Sequence, residues 1–106
     1  MSKKIIAVDI DETICKTPPN RDYTLSLPIK KRIDVINKLY ERGNEIHYWT
    51  ARGTKSNICW RELTEKQLKE WGCKYHELHL KKKYFDVLID DRAFNAEELD
   101  NKDKKW

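Results

Sequence analysis

The chain has 106 residues, enough for one domain with one core. Apolar residues make up 39% of it and charged residues 38%, so it should fold under a densely charged surface. The net charge of +4 lies largely in Lys81, Lys82, Lys83, Lys102, Lys104 and Lys105 and reads as a solvated face rather than a polyanion site; no run approaches 18 apolar residues, so neither a nucleic-acid nor a membrane partner is expected.

Ile5, Ile6, Ala7 and Val8 form a short continuous apolar run, the pattern of a strand buried on both faces, and the run ends at Asp9. It is too short for a signal-peptide core. Cys15, Cys59 and Cys73 form no Cys-x-x-Cys, and an odd count without a signal predicts free thiols in a reducing cytoplasm. Residues 12 to 28 hold Pro18, Pro19, Asn20 and Pro28 and no helical period, so they form a loop or small hairpin.

Ile29, Ile33, Ile36 and Tyr40 then fall on one face of a helix that stops at Gly43. "EIHYWT", residues 45 to 50, is a second strand, and the loop "ARGTK" follows it. A second helix is expected over about residues 57 to 71, with Trp60, Leu63, Leu68 and Trp71 as its apolar face and Gly72 as its stop. "YHELHL" is a short strand. "DVLI", residues 86 to 89, is a further buried-strand run, ending in Asp90-Asp91. Asn95 with Glu98 makes a capping box that opens a last short helix near Ala96.

Strands alternating with helices predict an α/β domain over residues 1–106, with a parallel sheet and right-handed crossovers. Ligands of such sheets sit beyond the C-terminal strand ends. Asp9, Thr50 and Asp90-Asp91 all fall there, so they should share one rim. Converging carboxylates need a counter-charge, which Mg²⁺ supplies together with water and a phosphate. An aspartate can also act as a nucleophile and form an acyl phosphate. Asp11, two residues on, leans to the same side, where it can protonate a leaving oxygen and later activate water. Thr50 can hydrogen-bond a phosphoryl oxygen, and a lysine among 81 to 83 can neutralise charge on the transferring group.

In this setting "DIDET" resembles the first motif, Asp-x-Asp-x-(Thr/Val), of the haloacid dehalogenase superfamily of phosphotransferases. "YWTARG" resembles its second motif, "KKKYFD" its lysine motif and "LIDDRAF" its final acidic motif, in family order over residues 5 to 94. The wording is most similar to that of small capless phosphatases of capsular and other surface-polysaccharide pathways. The resemblance implies a Rossmann-like three-layer sandwich with a mainly parallel sheet and no separate cap domain. It implies a cytoplasmic, Mg²⁺-dependent phosphatase of capsular polysaccharide biosynthesis. Its substrate would be a small sugar, polyol or amino-alcohol phosphate, cleaved through an aspartyl phosphate.

On the same footing, Asp9 is the nucleophile and a metal ligand, and Asp11 is the general acid/base, with its backbone carbonyl a metal ligand. Asp90 and Asp91 complete the metal site. Thr50, Ala51, Arg52 and Lys82 bind substrate, with Thr50 and Lys82 also catalytic. The usual spacing of eight residues before Asp90 selects Lys82; Lys81 and Lys83 stay open because the family's Lys-Pro landmark is missing. Glu12 stands where the family usually has Gly, either pointing outward or touching a cationic part of the substrate.

Other residues have plainer readings. Arg52 in the rim loop either grips substrate or pairs with an acid or a helix end, and Arg92 makes a structural ion pair. Cys73, His76 and His79 have metal-like intervals, but a strand points the two histidines to opposite faces. His47 is an ordinary strand residue, and Trp60 and Trp71 are core. Competing functions are a receiver-type phosphoacceptor, a silent binding domain and a phosphatase of macromolecular phosphates. Residues 12 to 28 form a flap, and a homo-oligomer is expected in which residues 18 to 27 face a partner's site.

Overall fold

A computed structural model describes residues 3–106. Its elements, in chain order, are β1 (Ile5–Asp9), β2 (Cys15–Lys16), a 3₁₀ turn (Tyr23–Leu25), β3 (Leu27–Pro28), α1 (Lys30–Glu41), β4 (Glu45–Trp49), α2 (Arg61–Glu70), β5 (Glu77–His79) and a closing 3₁₀ turn (Ala96–Asp100). The main sheet is parallel with order β1-β4-β5. Its register runs from Ile5 opposite Glu45 to Asp9 opposite Trp49, and from His47 opposite Glu77 to Trp49 opposite His79. Segment 12–28 is a small antiparallel hairpin, β2 on β3, with Cys15 opposite Pro28.

Two right-handed crossovers that step in the same direction bring their helices to the same face of a sheet. One core cluster accordingly holds Val8, Ile46, Tyr48 and Leu78 from the strands, Ile33, Ile36 and Leu39 from α1, and Leu68 from α2. The result is two layers, not the three-layer sandwich expected. Strand alternation sends Ile5, Ala7, His47, Glu77 and His79 to the other face. Among the described residues no helix covers that face. Ile5 is 69% exposed and Ala7 is exposed, so the two-sided burial expected of β1 holds only on the Val8 side.

α2 begins at Arg61, later than the apolar spacing suggests, because residues 51 to 60 first fold into a turn around Gly53. Gly53 has φ +84°, and an added Cβ would lie 2.1 Å from the Ile58 carbonyl oxygen, so only glycine fits this turn. The buried face of α2 is Thr64, Gln67 and Leu68, two of them polar.

The strand expected at residues 86–89 does not form. Val87, Leu88 and Ile89 are 74%, 51% and 95% exposed. A strand needs a neighbour for its N–H and C=O groups, and among the described residues the segment has none. The capping box at Asn95 and Glu98 does form, and it opens the closing 3₁₀ turn. Arg32 in the first turn of α1 clamps that turn through two 2.9 Å bonds to Asp100. No helix among the described residues is long and apolar enough to cross a membrane.

Candidate active site

Asp9 ends β1, and its carboxylate Oδ1 lies 3.1 Å from Lys82 Nζ. Lys82 is carried there by its backbone. Its N–H donates to the Thr50 carbonyl at 3.2 Å, and its carbonyl accepts the Thr54 hydroxyl at 2.8 Å. The ammonium rests over the rings of Trp49 and Phe85, 4.9 and 5.1 Å from their centroids. Lys81 and Lys83, one residue either side, are exposed. Burial raises the Asp9 carboxyl above its ordinary value of 3.8; Lys82 opposes that rise and the nearby charge of Asp11 adds to it.

Asp11 faces a different partner. Its Oδ1 accepts Arg52 Nη2 at 2.8 Å and the Thr17 hydroxyl at 2.6 Å, and its Oδ2 accepts Arg52 Nε at 3.0 Å. Burial pushes the Asp11 carboxyl up, but the hydrogen bonds and charge of Arg52 outweigh it and hold the carboxyl below its ordinary value. The Cys15 thiol donates to the same carboxylate at 3.6 Å, and burial pushes it up to about 12, so it stays protonated.

Arg52 is thus tied to an acid rather than free for substrate, which corrects its expected binding role. Its side chain has no exposed surface. Its Nη1 donates to Thr64 at 3.1 Å and Gln67 at 2.6 Å, and its guanidinium lies 4.6 Å from the centroid of the Tyr23 ring. Thr64 and Gln67 were missed as parts of this corner. The available signal was their place on the Leu68 stripe of α2, where polar residues at helical spacing mark a buried polar partner.

Thr50 is also displaced from its expected role. It is 1% exposed, its hydroxyl accepts the Arg52 N–H at 3.1 Å, and Ala51 rather than Thr50 lines the cavity above Asp9. That cavity measures about 660 Å³, with Asp9, Asp11, Tyr23, Lys82 and Phe85 in its wall. Tyr23 comes from the hairpin segment and meets Trp60 edge to face, ring centroids 5.1 Å apart. Glu12 lies in the left-handed region, at φ 65°, so its position does ask for a glycine-like backbone. Its side chain accepts the Thr17 N–H at 3.0 Å and pairs with Lys16.

Asp90 and Asp91, expected as metal ligands, are exposed on the strap after Phe85. Asp90 accepts the Arg92 N–H at 2.7 Å, a local turn. Among the described residues the donor atoms that gather within 4.8 Å belong to His47, Glu77 and His79, on the uncovered face of the sheet. His47, read as an ordinary strand residue, is therefore part of a polar cluster. His76 is not, because its Nδ1 accepts the Ile46 N–H at 3.1 Å and its ring stacks on Tyr40.

No family model matches the chain, and no curated protein matches it. Among solved structures it is similar to the crystal structure of an MCSG target from Vibrio cholerae. The two are 26% identical with a TM-score of 0.82, over 91% of this chain and 86% of that one. The likeness supports the small α/β architecture, a mainly parallel sheet of three strands with two helices.

Proposed function

We propose that this chain is a phosphatase of the haloacid dehalogenase type that hydrolyses a small phosphate monoester through an aspartyl phosphate on Asp9. The observation that carries the reading is the Asp9–Lys82 contact of 3.1 Å at the floor of an open cavity. A carboxylate nucleophile and a cation for the phosphoryl oxygens are what such a transfer needs. The cavity, about 660 Å³, suits a small ester. The motif wording points to a sugar, polyol or amino-alcohol phosphate of a capsular pathway. Three free cysteines suit a cytoplasmic setting.

An Asp9 oxygen attacks phosphorus, the P–O bond to the alcohol breaks, and the alkoxide takes its proton from water in the open cavity. Water then attacks the aspartyl phosphate and passes a proton to Asp11, which frees Asp9 and inorganic phosphate. Asp11 is held ionised by Arg52, so it is in the state to accept that proton and not to give one to the leaving oxygen. Aryl phosphates, whose leaving oxygen needs no proton, should therefore be cleaved faster than alkyl ones.

The resemblance would place Mg²⁺ on Asp9, Asp11, Asp90 and Asp91. The residues of one chain do not fit it, because Asp90 and Asp91 stand exposed on the strap, away from Asp9. Phosphate release from a panel of small esters tests the reading, with Asp9→Asn expected to abolish turnover in a folded protein. A variant that keeps a tenth of the wild-type rate would overturn the covalent mechanism.

A further inference from the structure

Among the described residues the chain carries an apolar run without a sheet and a sheet edge without a strand. Val87, Leu88 and Ile89 are exposed in the strap between Phe85 and Asn95, outside any helix or strand. β1 is the end strand of the sheet, with β4 on one side and no strand on the other, and Ile5 and Ala7 are exposed beside that open edge. The two runs match in length and ending. Ile5 to Val8 precede Asp9, and Asp86 to Ile89 precede Asp90.

We propose that residues 86–89 of one copy add to the open edge of β1 in a second copy, as a parallel strand, and that this exchange completes the site at Asp9. With Asp90 set beside Asp9, Val87 and Ile89 fall on the core face with Ile6 and Val8, while Leu88 joins Ala7 on the other. The exchange buries the apolar side chains that the isolated chain leaves in water and closes the exposed edge.

The strap cannot reach the same position on its own β1. Lys82 is pinned to the Thr50 carbonyl at 3.2 Å, one residue beyond the pair Trp49 and Asp9. Asp86 would have to lie beside Ile5, level with Glu45, on the far side of β1. That is five residues of rise and two strand spacings away, about 19 Å. The four links from Lys82 to Asp86 span about 14 Å fully extended. The far end is also tied, because the Asn95 capping box leads into the turn that Arg32 holds through Asp100. A second copy meets neither restraint, and a two-fold pair satisfies both edges at once.

The consequence for the site rests on the phosphatase reading above. The exchange sets two carboxylates, Asp9 and Asp90 of the partner subunit, on adjacent strands against the single ammonium of Lys82. Their surplus negative charge is what a divalent cation such as Mg²⁺ would balance. The carboxylate of Asp90, which one chain leaves exposed on the strap, is then beside Asp9. The contact lies at the β1 edge, a different surface from residues 18 to 27.

Cysteine cross-linking tests the exchange without relying on activity. Exposed Cys59 is first replaced by serine, and Ala7→Cys is then combined with Leu88→Cys. Neighbouring parallel strands bring such a pair within disulfide range. Expected under oxidation is a covalent pair of chains on a non-reducing gel. It should also form when the Ala7→Cys and Leu88→Cys chains are made separately and mixed. A disulfide closed within one chain, or no cross-link in a protein that light scattering shows to be monomeric, would overturn the proposal.

Activity supplies the second arm. Asp9→Asn and Asp90→Asn chains, each inactive alone, should recover about a quarter of wild-type activity when unfolded together and refolded, since half the pairs are mixed and each mixed pair has one intact site. Intact wild-type activity with no recovery in the mixture would also overturn the exchange. A cross-linked pair whose wild type releases no phosphate would instead remove the phosphatase reading and leave the exchange standing.

Discussion

Arg52 has no exposed side-chain surface and directs its donors to Asp11, Thr64, Gln67 and Ser26, whereas Ile89 is 95% exposed. The first region buries charge and satisfies it. The second leaves apolar side chains in water, where each forgoes about 1.5–3 kcal/mol of burial. A buried ion is tolerated when every donor finds an acceptor; an exposed apolar strand is tolerated only when something else is to cover it. Local bonds complete the corner within one chain, and the strap has no local means of completion.

The largest effect is expected from breaking the corner. Arg52→Ala strands Asp11 against Thr17 and Cys15 without its cation and leaves Thr64 and Gln67 unmatched. Removing one partner of a buried pair typically costs about 3–5 kcal/mol. Arg52→Lys should restore only part, because one ammonium cannot reproduce the forked contacts. Urea unfolding reads this directly. The Asp11 carboxyl is held below 3.8 in the folded chain, so its contribution is full above pH 3.8 and is lost as pH falls toward its folded value. The gap between wild type and Arg52→Ala should therefore be widest near neutrality and narrow in acid.

The next effect concerns the other carboxylate. Lys82→Met should lower phosphatase turnover by about 10²–10³-fold, the usual loss for one group that stabilises transferring charge. It should also move the acid limb of the kcat/KM profile. Asp9 must be ionised to attack, and its carboxyl already lies above 3.8 because of burial, with Lys82 pulling it back down. Without Lys82 the carboxyl rises further, so the acid limb shifts to higher pH. Lys81→Ala and Lys83→Ala, both at exposed positions, should leave the limb in place. An unmoved limb in Lys82→Met would show that another group sets it.

The end of β1 was legible in the sequence because an apolar run leads there into an acid that a core strand has no other reason to carry. Asp9 and Lys82 come together as four-motif order and spacing suggest. The Asp11–Arg52 pair was not legible as a pair. Its geometry depends on Thr64 and Gln67 from α2 and Ser26 from the hairpin; helical spacing marks the first two as facing a buried polar partner but does not say which. The strand expected at residues 86–89 failed for a different reason. An apolar run specifies that a strand is to be buried, not which chain supplies its neighbour, and "DVLI" is apolar enough for a strand that its own sheet does not reach.

A smaller effect is expected at Glu12, on the turn between the two carboxylates. Its left-handed backbone costs a non-glycine residue about 1 kcal/mol. Glu12→Gly and Glu12→Ala both lose the bond to the Thr17 N–H, and only the glycine relieves the backbone. The glycine variant should therefore be the more stable by about 1 kcal/mol in urea unfolding. Neither should change KM for a small ester, because the Glu12 carboxylate is turned to Thr17 and Lys16. A rise in KM confined to cationic esters would instead show contact with the substrate.

The smallest effect is expected on the strap in dilute protein, and its size separates the two regions most sharply. Ile89→Ser removes a side chain that is already in water. In the monomer such a surface change should stay within about 0.5 kcal/mol. If the strap lay on its own sheet, the loss would be that of a core residue, about 2–5 kcal/mol, at every concentration. Exchange between copies makes a third pattern. The wild-type melting temperature should climb with protein concentration, since pairing stabilises only the folded state, and the Ile89→Ser melting temperature should stay flat. The two curves would then meet at low concentration and part as it rises. Parallel curves separated at all concentrations would place the strap on its own β1, and coincident curves would leave Ile89 in water in every state.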